Sequence, residues 1–180
     1  MTIEHFSIQG PLLIRPKVFY DDRGCFFESF NEQRFEELGL PTVFHQDNQS
    51  VSHKGVLRGL HFQSPPWEQG KLVRVTGGRA IDIAVDIRAD SPTYGNHIRV
   101  ELCSESPAFL WIPAGFAHGF LAVEENTVFL YKCTKPYNPA AELGIRWDDP
   151  ELGIDWGGGR FLISEKDKNL PLLSSLENPF

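Results

Sequence analysis

Residues 79–88 read RAIDIAVDIR. Aliphatic side chains recur at every second position: Ile81, Ile83, Val85 and Ile87 share one side, and Ala80, Asp82, Ala84 and Asp86 share the other. A period of two is the geometry of a strand; a helix face repeats every three to four residues. A face made of alanines and aspartates is either bathed in solvent or the lining of a wet cavity. Pattern alone leaves both open.

Outward from this segment the same texture continues. KLVRVT (71–76), HIRVELC (97–103), AFLWIP (108–113) and NTVFLYKCT (126–134) are rich in β-branched and aromatic residues, and they alternate or nearly so. Clusters of Gly, Pro, Asn and Asp separate them at short intervals, and the chain holds 16 Gly and 13 Pro, enough for many tight turns. The reading is all-β, a sandwich or barrel with a jelly roll leading. In NTVFLYKCT, Tyr131 falls on the face of Phe129 and Cys133, a partly apolar setting. One helix interrupts the strands: in SFNEQRFEELGL (29–40), Asn31 is the N-cap, Phe35 and Leu38 share a face, and Gly39 stops the turn. Neither a repeat nor a low-complexity linker appears, so the 180 residues form one domain, 1–180.

Composition excludes several classes. With 17 Lys and Arg against 24 Asp and Glu the net charge is −7, which opposes non-specific nucleic-acid binding. The charge is uneven, however. Residues 51–80 carry Lys54, Arg58, Lys71, Arg74 and Arg79 against Glu68 alone, a basic stretch that suits either a small anionic ligand or a solvated strand face. No apolar run approaches the ~20 residues that span a bilayer. MTIEHFSIQG at the N-terminus lacks the basic and apolar regions of a signal peptide. Three cysteines, Cys25, Cys103 and Cys133, without a Cys-x-x-Cys spacing, point to free thiols in a reducing, cytoplasmic setting.

The chemistry gathers around LRGLHFQSPPWEQGK (57–71). His61 has three readings: metal ligand, base, or packed core histidine. Barrels that hold a metal use His-x-His and a later Pro-x-Gly…His; here IPAGFAHGF (112–120) supplies His118, but Gln63 stands where the second ligand would be. Two histidines and an amide are a poor donor set for zinc or iron. Acid–base chemistry has more support. Arg58 and Lys71 are near in sequence, and Asp82 and Tyr131 lie on strands of the same barrel. An imidazole oriented by a carboxylate is a base near neutral pH, a tyrosine across a cavity is an acid, and an ammonium steadies an oxyanion. Simple alternation in LRGLHFQ puts His61 with Leu57 and Gln63 and turns Arg58 away, unless Gly59 marks a bulge. Asp167 has a plain role as well, since Ser164-x-x-Asp167 is a capping pattern.

DDRGCFFESF (21–30), QDNQSVSHKGVLRGLHFQ (46–63), GKLVRVTGGRAIDIAVDIRADSPTYG (70–95), IPAGFAHGFL (112–121), YKCTKPYNPAAELGIRWDDPELGIDW (131–156) and SEKDK (164–168) together resemble the dTDP-4-dehydrorhamnose 3,5-epimerase family. The resemblance implies a cupin-like jelly-roll barrel with short peripheral helices, a homodimer, and no metal or other cofactor. It implies a dTDP-4-keto-6-deoxyhexose substrate inverted at carbons 3 and 5. By the same likeness His61 is the base, Asp167 its acidic partner, Tyr131 the acid, Lys71 the group at the keto oxygen and Asp82 a cavity carboxylate beside it. Arg23, Glu28, Gln46, Asn48, Arg58, His118, Glu142 and Lys166 match substrate-binding positions. Mono-epimerases of antibiotic deoxysugar pathways share most of this set, so single inversion is the nearest rival. A metal-dependent cupin, such as a dioxygenase or sugar isomerase, and a non-catalytic sugar-nucleotide binding module are the more distant ones.

Overall fold

The strand expected within 79–88 forms over Arg79–Asp86, and both of its faces are dry. A computed structural model describes residues 1–177 and 179–180. Its strands are β1 (Thr2–His5), β2 (Leu12–Arg15), β3 (Val18–Asp21), β4 (Gly24–Phe27), β5 (Gln46–Ser52), β6 (Val56–Gln63), β7 (Lys71–Gly77), β8 (Arg79–Asp86), β9 (His97–Cys103), β10 (Phe109–Ile112), β11 (Phe116–Ala122), β12 (Thr127–Cys133), β13 (Glu142–Gly144) and β14 (Leu162–Ile163). Two short helices are α1 (Glu32–Glu37) and α2 (Glu165–Lys168). One sheet runs β1-β2-β10-β7-β12-β5; the other runs β13-β6-β11-β8-β9, with β14 alongside β6. The pairings are antiparallel except β14 with β6. The two sheets face each other as a jelly-roll barrel, and β3 and β4 form a separate hairpin.

Side-chain alternation divides the core into three. Val73, Leu110 and Phe129 from one sheet meet Ala84, Val100 and Phe120 from the other, filling part of the space between them. Behind the second sheet, Ile81, Ile83, Val85 and Ile87 pack under Ile145, Leu152 and Trp156 from the C-terminal segment. Behind the first, Leu72, Phe109 and Trp111 pack under Phe35 of α1. Asn31 caps α1 by accepting from the Arg34 N–H at 3.1 Å, and Gly39 takes φ +68 just past its end. Burying a leucine- or phenylalanine-sized side chain is worth about 1.5–3 kcal/mol, so coverage on both sides makes β8 expensive to disturb.

The face of Ala80, Asp82, Ala84 and Asp86 is therefore neither solvated nor a cavity lining. Ala80 and Ala84 are fully buried in the inter-sheet core. Asp86 is locked by Arg88, Ser91 and Thr93, and Asp82 by a histidine. Two of the five cations in 51–80, Arg58 and Lys71, enter the space between the sheets. Arg79 is held outside by Glu101, Glu105 and Glu124, and Arg74 lies over the Phe109 ring on the outer face.

The alternation in β6 breaks at Gly59. Against β11, His61 pairs with His118 but Arg58 pairs with Phe120, a register shift of one residue. The slip turns Leu57, Leu60 and Phe62 into the rear core and brings both Arg58 and His61 to the front, against simple alternation and in line with a bulge. Gly59 has φ +124, and a Cβ there would lie 2.5 Å from the Gly119 Cα and 2.8 Å from the His118 carbonyl oxygen. Replacing Gly59 with alanine is expected to cost about 2–4 kcal/mol, combining the left-handed penalty with overpacking. Thermal unfolding should then move down by roughly 5–15 °C. An unchanged midpoint would show that the β6–β11 approach is not fixed by this glycine.

Candidate active site

Between the sheets, beyond the apolar core, lies a cavity of about 440 Å³ walled by Arg58, His61, Lys71, His118, Tyr131 and Asp167 among others. A second lobe of about 100 Å³ shares Asn48, His61, Lys71 and Tyr131 with it and extends to Gln46, Tyr137 and Glu142. Both lobes form one polar cleft with His61 and Tyr131 at the junction.

His61 stands on β6, and Asp167 reaches it from α2. Ser164 caps that helix by accepting from the Asp167 N–H at 3.0 Å, so the capping role and the partnership with His61 belong to one turn. His61 Nε2 is 2.8 Å from Asp167 Oδ1, and Asp167 Oδ2 accepts from the Gly59 N–H at 3.3 Å. Burial alone would raise the Asp167 carboxyl; the bond and charge of His61, aided by Gly59 and Ser164, carry it below the ordinary aspartate value. With Nε2 committed, Nδ1 is the imidazole nitrogen left to handle a proton.

Tyr131 projects from β12 in the facing sheet, packed against Phe129. Desolvation raises its pKa, which keeps the phenol protonated. Lys71, on β7 beside it, is the most exposed to electrostatic cost. Among the described residues no carboxylate lies within ion-pair distance of its Nζ, whose one recorded contact is the His61 carbonyl at 3.5 Å. Burial accordingly lowers its pKa, opposed by Cys133, Asp82 and Glu142. A desolvated, unpaired ammonium is costly to the fold, and such groups concentrate at sites of chemistry.

His118 sits opposite His61 on β11, and its Nε2 lies 3.0 Å from each oxygen of Asp82. Burial lowers the His118 pKa and raises that of Asp82. At the mouth, Glu142 on β13 accepts from Tyr137 Oη and from Lys166 Nζ, both at 2.5 Å. Burial opposes ionisation of Glu142, but Lys166 and Tyr137 overcome it and lower its pKa. Gln46 accepts from the Tyr137 N–H at 2.7 Å and donates to Asn48 Oδ1 at 2.9 Å.

The family model for dTDP-4-dehydrorhamnose 3,5-epimerase matches residues 5–175. This chain belongs to that family. The epimerase of Methanothermobacter thermautotrophicus strain Delta H is 50% identical over 176 residues, 96% of this chain and 94% of its own. That of Salmonella typhimurium strain LT2 is 50% identical over 175 residues, covering 96% of each. Among solved structures, the dTDP-6-deoxy-D-glucose-3,5-epimerase of Legionella pneumophila, in complex with dTDP-4-keto-L-rhamnose, superposes with TM-score 0.94 at 47% identity, over 98% of this chain and 94% of that one.

Against the epimerase expectations, the structure brings His61, Asp167, Tyr131, Lys71, Gln46, Asn48, Arg58, His118, Glu142 and Lys166 to one cleft. Asp82 departs from its expected place. It is fully buried behind His118 and outside the lining, where it is bonded to that imidazole and coupled by charge to Lys71. Whether Arg23 and Glu28 serve their own cleft or a neighbour's is open from sequence. Arg23 stands at the tip of the β3–β4 hairpin with 90% of its side chain exposed, held by Asp21, and Glu28 pairs with Arg34 at 3.0 Å; neither lines the cleft of its own chain. Sequence reading missed Tyr137 and Ser50. Tyr137 follows Lys135-Pro136 in an irregular turn without period. Ser50 belongs to β5, whose residues QDNQSVS are polar on both faces and so give no hydrophobic signal.

The lowered Asp167 pKa fixes a sign. A carboxyl depressed in the folded state stabilises above its unfolded pKa, near 3.9, and that contribution disappears as pH falls through the folded value. Asp167→Asn should therefore cost about 1–3 kcal/mol at pH 7. Denaturant titrations of both proteins should converge as the pH drops below about 4. A gap that stays constant with pH would mean that the ionised carboxylate is not what His61 and Gly59 require.

Proposed function

We propose that this protein converts dTDP-4-dehydro-6-deoxy-D-glucose to dTDP-4-dehydro-L-rhamnose, an isomerase step of dTDP-L-rhamnose biosynthesis, with residues 1–180 acting as one domain. The observation that carries the reading is the placement of His61 on β6 and Tyr131 on β12, in facing sheets, with Lys71 of β7 in the same cleft.

The protons on carbons 3 and 5 are both alpha to the C4 ketone. His61 Nδ1 removes one, and its electron pair moves onto the C4 oxygen as an enolate. Lys71 holds that oxygen. Tyr131 returns a proton to carbon from the opposite face, which inverts the centre, and the phenolate and imidazolium then re-equilibrate through solvent. Repetition at the second carbon completes the reaction. Each positioned acid or base contributes ~10²–10⁴-fold, and a preorganised donor on the oxyanion about 3–4 kcal/mol. Asp167 holds the tautomer of His61 and steadies the imidazolium. Arg58, which has no carboxylate within ion-pair distance among the described residues, is free to fork onto diphosphate oxygens, while Gln46, Asn48, His118, Glu142 and Lys166 frame the remaining substrate.

The working form is a homodimer. The β3–β4 hairpin leaves Phe19, Tyr20 and Phe26 exposed at 53%, 71% and 70%, an apolar patch that favours burial against a second copy. Since Arg23 and Glu28 ride on or beside that hairpin, they serve the partner's cleft and not their own. Free Cys25, Cys103 and Cys133 fit a cytoplasmic setting.

Running the reaction in D₂O and reading the product by proton NMR tests the function. Deuterium should enter at both carbon 3 and carbon 5. Label at a single carbon would reassign the enzyme as a mono-epimerase, and no label would remove the enolate route.

A further inference from the structure

Gln63 stands on β6 where a metal-holding barrel would place its second histidine, and the structure gives the amide a different task. The residue is 3% exposed. Its Nε2 donates to the Trp67 carbonyl at 2.6 Å and to the Pro136 carbonyl at 3.3 Å, and its Oε1 accepts from the Asn138 N–H at 2.7 Å. Each of these bonds goes to backbone, and the partners belong to two irregular segments, 64–70 and 134–138. Both segments reach the smaller lobe, through Gln69 and Tyr137. They are tied to each other as well: Gln69 Nε2 donates to the Lys135 carbonyl at 2.7 Å, and Lys135 Nζ to the Pro66 carbonyl at 2.8 Å.

The turn at 136–138 carries Tyr137. That residue is 49% exposed, so packing does not hold its ring. Backbone bonds do. Gln46 of the first sheet accepts from the Tyr137 N–H at 2.7 Å, and Gln63 of the second sheet accepts from the next N–H, that of Asn138. Two glutamine oxygens from facing sheets thus suspend one turn at the smaller lobe. The segment then returns to Gln63. Asn138 caps the turn Pro139–Ala141 by accepting from the Ala140 N–H at 3.0 Å, and Glu142, next in the chain, pairs with Gln63 across β13 and β6. Tyr137 Oη closes the circuit on the Glu142 carboxylate. Without the Gln63 amide, the Pro136 carbonyl and the Asn138 N–H lose partners while the β13–β6 pairing remains. The loss therefore falls on the aim of Tyr137.

We infer that Gln63 is a positioning residue for substrate binding: by fixing the 136–138 turn it presents Tyr137 to the smaller lobe before the sugar nucleotide arrives. The inference rests on the proposed substrate and adds a residue that acts on it through Tyr137. A binding side chain on a loose loop must be ordered at the moment of binding, and that ordering subtracts from affinity; a loop fixed beforehand avoids the loss. The proton-transfer groups stand on β6, β7 and β12 and do not depend on the turn. Gln63 therefore governs affinity and leaves the chemical step alone.

Gln63→Asn tests this, because the shorter amide admits water in place of lost partners but does not reach both segments. KM for the 4-keto sugar nucleotide should rise about tenfold, the scale of one or two lost hydrogen bonds. The kcat should stay within about threefold of wild type, the mark of a binding effect. Calorimetry with dTDP-glucose, which has no C4 ketone to react, should show the same rise in Kd. Tyr137→Ala should weaken dTDP-glucose binding to a similar degree, and the double variant should bind little worse than either single one, since Gln63 acts through Tyr137. Gln63→Glu keeps the length and the acceptor for Asn138 but, ionised, donates to neither carbonyl; it is the second variant should Gln63→Asn not fold. Unchanged Kd, additive losses, an inert Tyr137→Ala, or a kcat that falls as far as kcat/KM would overturn the assignment. Deuterium incorporation by the wild type, run in parallel, keeps the two readings apart. Label at both carbons with unaltered dTDP-glucose binding in the Gln63 variant sinks this inference alone. Binding of dTDP-glucose without any label sinks the epimerase reading, and the affinity cycle still decides Gln63. Wild-type protein that does not bind dTDP-glucose sinks both.

Discussion

Asp167 ties together two things that the chemistry needs at once: an imidazole and the backbone turn that aims it. One carboxylate oxygen holds His61 Nε2 and the other the Gly59 N–H, while the backbone N–H of the same residue is fixed by Ser164. The register slip at Gly59 brings Arg58 and His61 to a common face, so the tie spans both the base and the anchor of the anionic ligand. A single acidic side chain at the N-terminal turn of a four-residue helix thereby sets which nitrogen is free and where it points.

Around that tie the site is built at an electrostatic loss. Lys71 is desolvated without a carboxylate in ion-pair reach among the described residues, and the Tyr131 hydroxyl has lost hydration, which raises its pKa. These groups destabilise the empty fold, and the surrounding barrel absorbs the loss through the dry packing on both faces of β8. The same dry walls lower the local dielectric and strengthen the attraction between an ammonium and a developing oxyanion. Asp82 belongs to this logic as the carboxylate that orients His118 from behind.

Much of this was legible in the sequence because a half-buried strand declares itself by period two. HIRVELC coincides with β9, and KLVRVT, RAIDIAVDIR and NTVFLYKCT differ from β7, β8 and β12 only at their ends. The same logic could not show β5, an edge strand with polar residues on both faces, and with it Ser50 was lost. It left the side taken by Arg58 open because one glycine with positive φ can reverse the alternation, and it read the aspartate face of β8 as wet because a carboxylate locked by Arg88, Ser91 and Thr93, or by His118, looks the same in sequence as a solvated one. The partnership of His61 with Asp167 spans 106 residues and came from family resemblance, since no local pattern carries it. The place of Arg23 and Glu28 outside their own cleft needed coordinates, because the hairpin's apolar residues stay exposed where a pattern reader expects burial.

The central claim is that two proton transfers from opposite walls make the inversion, removal by His61 and return by Tyr131. Tyr131→Phe isolates the second, since it keeps the aromatic packing on Phe129 and deletes the hydroxyl. The decisive measurement is solvent-deuterium exchange into recovered substrate alongside formation of inverted product, both followed on one sample of this variant. The account predicts that exchange with retained configuration outpaces inversion, because His61 and Lys71 still form and hold the enolate. Exchange and inversion falling together to background, or neither falling, would contradict it.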